Sequence, residues 1–210
     1  FFHARGANAE FSPEDIDLSS LPCRMLHIGY LLLLDSFDKA DAEYGTVTAR
    51  FLHDVRERGI ETSIDMVSDS AADYRKTVVP ALKYTDYAII NEIEGCGIWG
   101  LDPYNKDGTL DIPTVRKAMT LIAEAGASKK VIIHAKTAGF CLDVKSGEFT
   151  AVGSLRLPPS MIRGSVGAGD AFCAGCLYGL YEGFGDKALL EFASAAAACN
   201  LFGENSIDGM

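Results

Sequence analysis

Gly164-Ser165-Val166-Gly167-Ala168-Gly169-Asp170-Ala171-Phe172 carries the strongest chemical signal in this 210-residue chain. A glycine-rich turn runs into an apolar stretch read as a helix over 171–182. Such a junction exposes several backbone N–H groups, and the helix dipole adds positive potential, so it is a ready anion site. It is not a P-loop. Gly164 and Gly169 have that motif's separation, but Asp170-Ala171 stands where Lys and Ser or Thr would be. A carboxylate beside a phosphate cradle repels its ligand unless it has a task there. Accepting the proton of a hydroxyl that attacks phosphorus, with Mg²⁺ offsetting the phosphate charge, is such a task. The simpler alternative is a tight turn in which Asp170 is only the acid of a helix's first turn.

Working outward, strands and helices alternate along most of the chain. Strands are expected over 24–34, 61–67, 87–90 and 131–134, and a hairpin over 139–144 and 148–152. Helices are expected over 13–18, 42–58, 73–83, 112–125, 171–182 and 187–201. Ser12-Pro13-Glu14-Asp15 opens the first of these with a cap, a proline and two acids, while Gly59 and Gly126 stop two others. Alternation of this kind predicts a mainly parallel sheet covered on both faces, with ligands at the carboxyl ends of the strands.

Composition narrows the field. Hydrophobic residues make up 48% and charged residues 23%, which excludes a disordered chain. The net charge of −10 would repel a phosphate backbone, so no nucleic-acid partner is expected. The apolar runs 28–34 and 171–181 fall short of the ~18 residues a membrane span needs, so no membrane partner is expected either. Six cysteines in a chain of this length do not read as a disulfide framework, and a reducing, cytoplasmic compartment is expected. The chain opens on Phe1, and residues 1–5 read as the inside of a strand, as in a portion of a longer protein.

Gly167–Phe172, followed by Ala174-Gly175, resembles the C-terminal signature of the ribokinase-like carbohydrate kinases, the phosphofructokinase-B family. The resemblance extends over nearly the whole chain, 1–210. It implies a ribokinase-like three-layer α/β/α sandwich with a mainly parallel sheet, the small β lid being largely missing from this chain. It implies ATP and Mg²⁺ as cofactors and a sugar or sugar acid as substrate. Asp170 would be the general base, and the N–H groups of Gly167, Ala168 and Gly169 the anion hole. Asn91-Glu92-Ile93-Glu94 resembles the family's Asn-x-x-Glu motif, so Asn91 and Glu94 would organise Mg²⁺ through water. His134-Ala135-Lys136-Thr137-Ala138-Gly139 stands at the family's Thr-x-Gly-x-x-Gly, with only Gly139 kept; Lys136 could reach a nucleotide phosphate. Ser194 and Ala198 lie in a stretch, 192–198, that resembles the small-residue helix flanking the adenine. Phe2-His3-Ala4-Arg5-Gly6-Ala7-Asn8 resembles the substrate strand of the sugar-acid kinases, which makes residues 1–8 a lid or substrate strand. Arg5 and His3 would meet the sugar, with the Arg5 fork on a carboxylate. The family commonly dimerises through its lid, which implies a homodimer. Gly164 stands where many relatives carry an Asp that helps hold a monovalent cation.

Other signals carry less. Gly95-Cys96-Gly97-Ile98-Trp99-Gly100 has dinucleotide-fingerprint spacing, but Leu101-Asp102-Pro103 does not open a helix. Cys173-Ala174-Gly175-Cys176 falls inside an apolar helix and reads as buried packing. Asp65 ends a strand and could face the cleft. Three readings remain open: a sugar or sugar-acid kinase, with a nucleoside kinase as its variant; a non-catalytic nucleotide- or sugar-sensing protein on the same fold; and an interaction protein whose glycine-rich turn binds no phosphate.

Overall fold

The computed structural model describes residues 6–68 and 73–206. A helical turn α1 (Ala7–Glu10) and two 3₁₀ turns (Pro13–Asp15 and Leu18–Ser20) precede strand β1 (Met25–Leu31). A short ribbon of β2 (Ala40–Asp41) and β3 (Gly45–Thr46) leads into α2 (Val47–Glu57), β4 (Glu61–Met66), α3 (Tyr74–Leu82) and β5 (Tyr87–Asn91). Then come α4 (Glu92–Gly97), α5 (Ile112–Ala125), β6 (Lys130–His134), β7 (Ala138–Asp143), β8 (Phe149–Gly153), α6 (Ala168–Glu182) and α7 (Asp186–Asn200). Six strands form one sheet in the order β1-β4-β5-β6-β7-β8. The first four are parallel, and β7 runs antiparallel to both β6 and β8. This is the expected three-layer α/β/α sandwich.

Strand periodicity assigns the layers. In β5, β6 and β7, Ala88, Ile90, Val131, Ile133, Phe140 and Leu142 face one core, with side chains from α2, α3 and α5. The alternate residues Ile89, Ile132 and Cys141 face a second core under α6 and α7. In β1 and β4 the first face is equally apolar, with Ile28, Ile64 and Met66. Their other face presents His27, Ser63 and Asp65, and α6 passes over it. A polar patch on an otherwise apolar sheet sits where the parallel strands end, the edge at which ligands bind in this architecture.

Side-chain caps set most helix starts. Thr46, Asp73, Asn91 and Asp111 each accept a backbone N–H in the first turn of α2, α3, α4 and α5. Buried Asp86 ties the opposite end of the sheet together. It accepts the Thr62 N–H at 3.0 Å and the Ser128 hydroxyl at 2.6 Å.

Several expectations need correction. The helix expected over 42–58 begins only at Val47, because Gly45 (φ +90°) turns the β2–β3 ribbon and Thr46 then caps. The helix expected over 13–18 is replaced by the two 3₁₀ turns, since the Asp17 carboxylate takes the Ser19 N–H at 2.9 Å. Residues 7 and 8, placed in a substrate strand by the resemblance, belong to α1; residues 1–5 lie outside the described residues. Helix α4 was not foreseen. Gly95 packs it on β6, where a Cβ would lie 2.6 Å from Ile133 Cδ1, so that glycine serves packing. Helix α6 starts at Ala168, three residues before expectation, so Gly169 and Asp170 belong to its first turn.

Helices α6 and α7 touch at Gly175, where a Cβ would lie 2.8 Å from Ala193 Cα. Helix propensity alone would favour Gly175→Ala by ~1 kcal/mol. Overpacking here is expected to outweigh that, giving a net loss of about 1–2 kcal/mol and a Tm roughly 2–6 °C lower by calorimetry. A higher Tm would reject the close-contact account.

Candidate active site

Gly167 caps α6 in the left-handed region (φ +84°), and a Cβ there would lie 2.5 Å from Ser206 O. Both constraints require glycine. The Ala168 N–H donates to Ser165 O at 3.3 Å, while those of Gly169 and Asp170 find no acceptor among the described residues. Of the three expected anion-hole donors only the Ala168 N–H is thus engaged, that of Gly167 likewise finding no acceptor among the described residues, and Asp170 adds a further free N–H. Gly164 packs equally tightly, its Cβ position lying 2.9 Å from Gly203 O. Residues 203–206 thus back the whole glycine-rich loop, and a side chain at 164 fits only if they move.

Two hollows meet at this helix start. The larger, about 500 Å³, is lined by His134, Lys136, Ser165, Gly169, Ser194 and Ala198, among others. Phe172 forms part of its floor, its ring tilted 37° against that of His134 with centroids 4.9 Å apart. Gly139 stands behind that ring, a Cβ there meeting Phe172 Cζ at 3.1 Å, so it supports the floor and does not line the hollow. Leu155 and Ile162, both exposed, give the mouth an apolar surface. The Ser194 Oγ is buried with no hydrogen-bond partner. A hollow with an apolar mouth, an orphaned hydroxyl and free N–H donors fits a nucleotide.

The smaller hollow, about 260 Å³, is lined by His27, Gly29, Tyr30, Asp65, Asp170 and Cys173, with part of α6 behind them. The Tyr30 phenol donates to Asp170 Oδ1. His27 Nδ1 lies 3.1 Å from Ser63 Oγ, and its Nε2 lies 3.7 Å from Cys173 Sγ. Burial holds His27 and His134 neutral at physiological pH, each lowered to about 4 against the small opposing pull of Asp170. Burial, then the Glu94 carboxylate, pushes Asp65 up to about 8 even though it accepts the Met66 N–H at 2.8 Å. Burial and the contact with Asp170 push the Tyr30 phenol up, so it stays a donor through the neutral range. A third hollow, about 640 Å³ and shallow, lies at the far end of the sheet beside Lys130, Asp143 and Asp186, away from all of these groups.

Asn91 and Glu94 line neither hollow. They form a capping box at α4. Asn91 Oδ1 accepts the Glu94 N–H at 2.8 Å, and Glu94 Oε2 accepts the Asn91 N–H at 3.1 Å. Glu94 Oε1 accepts from Ser68 at 2.8 Å. Both carboxylate oxygens are thus engaged, and burial raises the Glu94 pKa. Among the described residues no three His, Cys, Asp or Glu side chains cluster as a metal site. A Mg²⁺ held mainly by nucleotide phosphates and water is compatible with this donor set, since that ion usually keeps several waters.

Of the expected site residues, Ala168, Gly169, Lys136, Ser194 and Ala198 share the larger hollow and Asp170 the smaller. Arg5 and His3 lie outside the described residues. The chain pattern did not reveal Tyr30 or His27 as site residues. The signal for His27 was its parity with Ile28, which puts it on the opposite face. Cys173 and Cys176 are buried with their thiols pushed up by burial, in keeping with packing roles.

Asp65 binds a proton in the folded state at pH values where the unfolded carboxyl, near 3.8, has released it. Its contribution to stability therefore falls as pH rises from about 4 to 8. Asp65→Asn keeps an acceptor for the Met66 N–H and removes the titration. It is expected to raise the Tm at pH 8, with the gain shrinking towards pH 4. The same shift at both pH values would contradict this.

Comparison with known proteins agrees with the fold. Solved structures of the same fold include 2-dehydro-3-deoxygluconokinase from Thermotoga maritima, 19% identical over 96% of this chain and 62% of that one, with a TM-score of 0.71. A probable sugar kinase from Rhizobium etli is 19% identical over 96% of this chain and 56% of that one, with a TM-score of 0.72. Adenosine kinase from Sinorhizobium meliloti is 19% identical over 94% and 55%, with a TM-score of 0.71. The chain therefore spans 55–62% of the length of these three structures. No curated protein matches it in sequence. The model of the pfkB family carbohydrate kinases matches residues 5–210, and the chain belongs to that family.

Proposed function

We propose that this chain carries the phosphoryl-transfer site of an ATP-dependent kinase acting on a hydroxyl of a sugar or sugar acid. The observation that supports it most is the position of Gly169 and Asp170. These consecutive residues open onto different hollows, with unpaired N–H groups at a helix N-terminus between them. Residues of the larger hollow would hold the nucleotide, with Lys136 towards the phosphates and Ser194 and Ala198 towards the base. Mg²⁺, when bound with ATP, offsets phosphate charge, and Asn91 and Glu94 would reach it through water. Asp170 takes the proton of the acceptor hydroxyl. The hydroxyl oxygen bonds to the γ-phosphorus as the bond to the ADP oxygen breaks, and ADP leaves with that electron pair. The free N–H groups of Gly167, Gly169 and Asp170 stabilise the equatorial oxygens, and His27 and His134, being neutral, add no charge beside Asp170.

One observation favours a neutral acceptor, a sugar or a nucleoside, over an acid. Among the described residues no Lys or Arg lines the smaller hollow, which holds two carboxyl groups. A carboxylate substrate would depend on Arg5.

The test is ADP release and Tm in the presence of ATP·Mg²⁺ and, in turn, D-ribose, D-fructose, 2-dehydro-3-deoxygluconate and adenosine. ATP·Mg²⁺ is expected to raise the Tm by mass action. Asp170→Asn is expected to keep that shift and to lose roughly 10²–10⁴-fold in turnover. Undiminished turnover in the variant rejects Asp170 as base. ATP binding with no ADP release in any of the four mixtures favours the sensing protein over the kinase.

A further inference from the structure

The pairing of β1 with β4 is irregular at one place. Ile28 pairs with Ile64 and Leu31 with Met66, so Gly29 and Tyr30 stand opposite Asp65 alone. This is a bulge with one extra residue in β1. Its effect on side-chain direction follows from parity. Ile28 and Leu31 both face the larger core although three positions separate them. In an unbroken strand Tyr30, two residues after Ile28, would enter that core, and Leu31 would point to the opposite face. The bulge reverses both. Leu31 stays buried, and Tyr30 swings to the α6 side, where its hydroxyl meets Asp170.

The chain holds an unfavourable backbone to keep this arrangement. Leu32 has φ +72°, the only non-glycine residue with positive φ among the described residues. That conformation disfavours a branched aliphatic residue. It is locked by burial of the Leu32 side chain and by its N–H donating to Asp38 Oδ1 at 3.2 Å. Strain maintained beside a cleft, with a buried side chain and a hydrogen bond enforcing it, points to a purpose for the residue it re-aims.

We propose that Tyr30 is a positioning residue for phosphoryl transfer: its phenol fixes Oδ1 of Asp170, so that Oδ2 faces the acceptor hydroxyl. The inference rests on Asp170 being the base. Tyr30 neither takes nor gives the transferred proton. Its phenol is kept protonated by the apolar surroundings and by two acidic neighbours, Asp170 and Asp65.

The test combines kinetics with crystallography on the full-length protein. Tyr30→Phe keeps the ring and removes the hydroxyl. Using the fastest of the four acceptors above, it is expected to lower kcat by about 10–100-fold, the scale of one charge-assisted hydrogen bond, and to leave ATP affinity unchanged. In an Asp170→Asn background the same change is expected to alter kcat less than about twofold, because the partner it positions is gone. Equal losses in both backgrounds, or no loss in the native one, overturn the proposal. The crystal structure of Tyr30→Phe is expected to show the Asp170 carboxylate rotated from its native rotamer, and an unmoved carboxylate overturns the proposal whatever the kinetics. Failure of the base assignment is read separately, from Asp170→Asn alone. If the native protein turns over none of the four, the kinase reading is rejected and the proposal falls with it.

Discussion

Everything at this site depends on how deeply α6 sinks onto the strand ends, and that depth is set by missing side chains. Gly139 admits the Phe172 ring, Gly169 lies over the edge of His134, with a Cβ position 3.3 Å from its Cε1, and Gly175 lets α7 close from behind. A methyl group at any of the three would lift the helix or displace what it rests on. Because the first turn of α6 carries both the free N–H groups and Asp170, a displacement of a few tenths of an ångström would move the donors and the carboxylate together. Close packing is therefore the means by which a flexible Gly-Ala-Gly-Asp stretch becomes a fixed constellation.

The sheet beneath has two unlike faces. One is apolar from β1 to β7 and supplies most of the core. The other is apolar only under the body of α6 and α7, and becomes polar at β1 and β4. Burying His27, Ser63 and Asp65 there costs stability unless they are paired, and the pairs are made: His27 with Ser63, and Asp65 with the Met66 N–H. The same low-dielectric setting keeps the two histidines uncharged and Asp65 largely protonated near neutrality. A cleft that would otherwise gather several charges is left with Asp170 as its exposed anion.

Much of this was legible in the chain. Alternating strand and helix patterns gave the parallel sheet, and β5, β6 and α5 lie within a residue of expectation because apolar periodicity and caps agree there. Gly164–Phe172 marked the helix start and its acid, since glycine spacing leaves a local trace. What was missed lacks any local trace. The bulge at Gly29-Tyr30 is a matter of register between strands thirty residues apart, and the orphaned Ser194 hydroxyl is defined by neighbours from other elements. Asn91 and Glu94 show the opposite case. Their spacing suits a metal-organising motif and a capping box equally, and the observed hydrogen bonds are those of the box. Helix α4 was not foreseen in a stretch weighed only for its glycine spacing, and Gly95 there is a contact point on β6.

The contact of residues 203–206 with Gly164 and Gly167 places a remote part of the chain against the back of the anion loop. Ser206 lies thirty-six positions after Asp170, yet its carbonyl touches the space where a Cβ at Gly167 would stand. An affinity tag, a fluorophore or a fusion joint introduced at 203–206 would thus act as a lever on the helix N-terminus. The label-tolerant positions of this chain are better sought at the other end of the sheet, around the hairpin turn at Lys145-Ser146-Gly147.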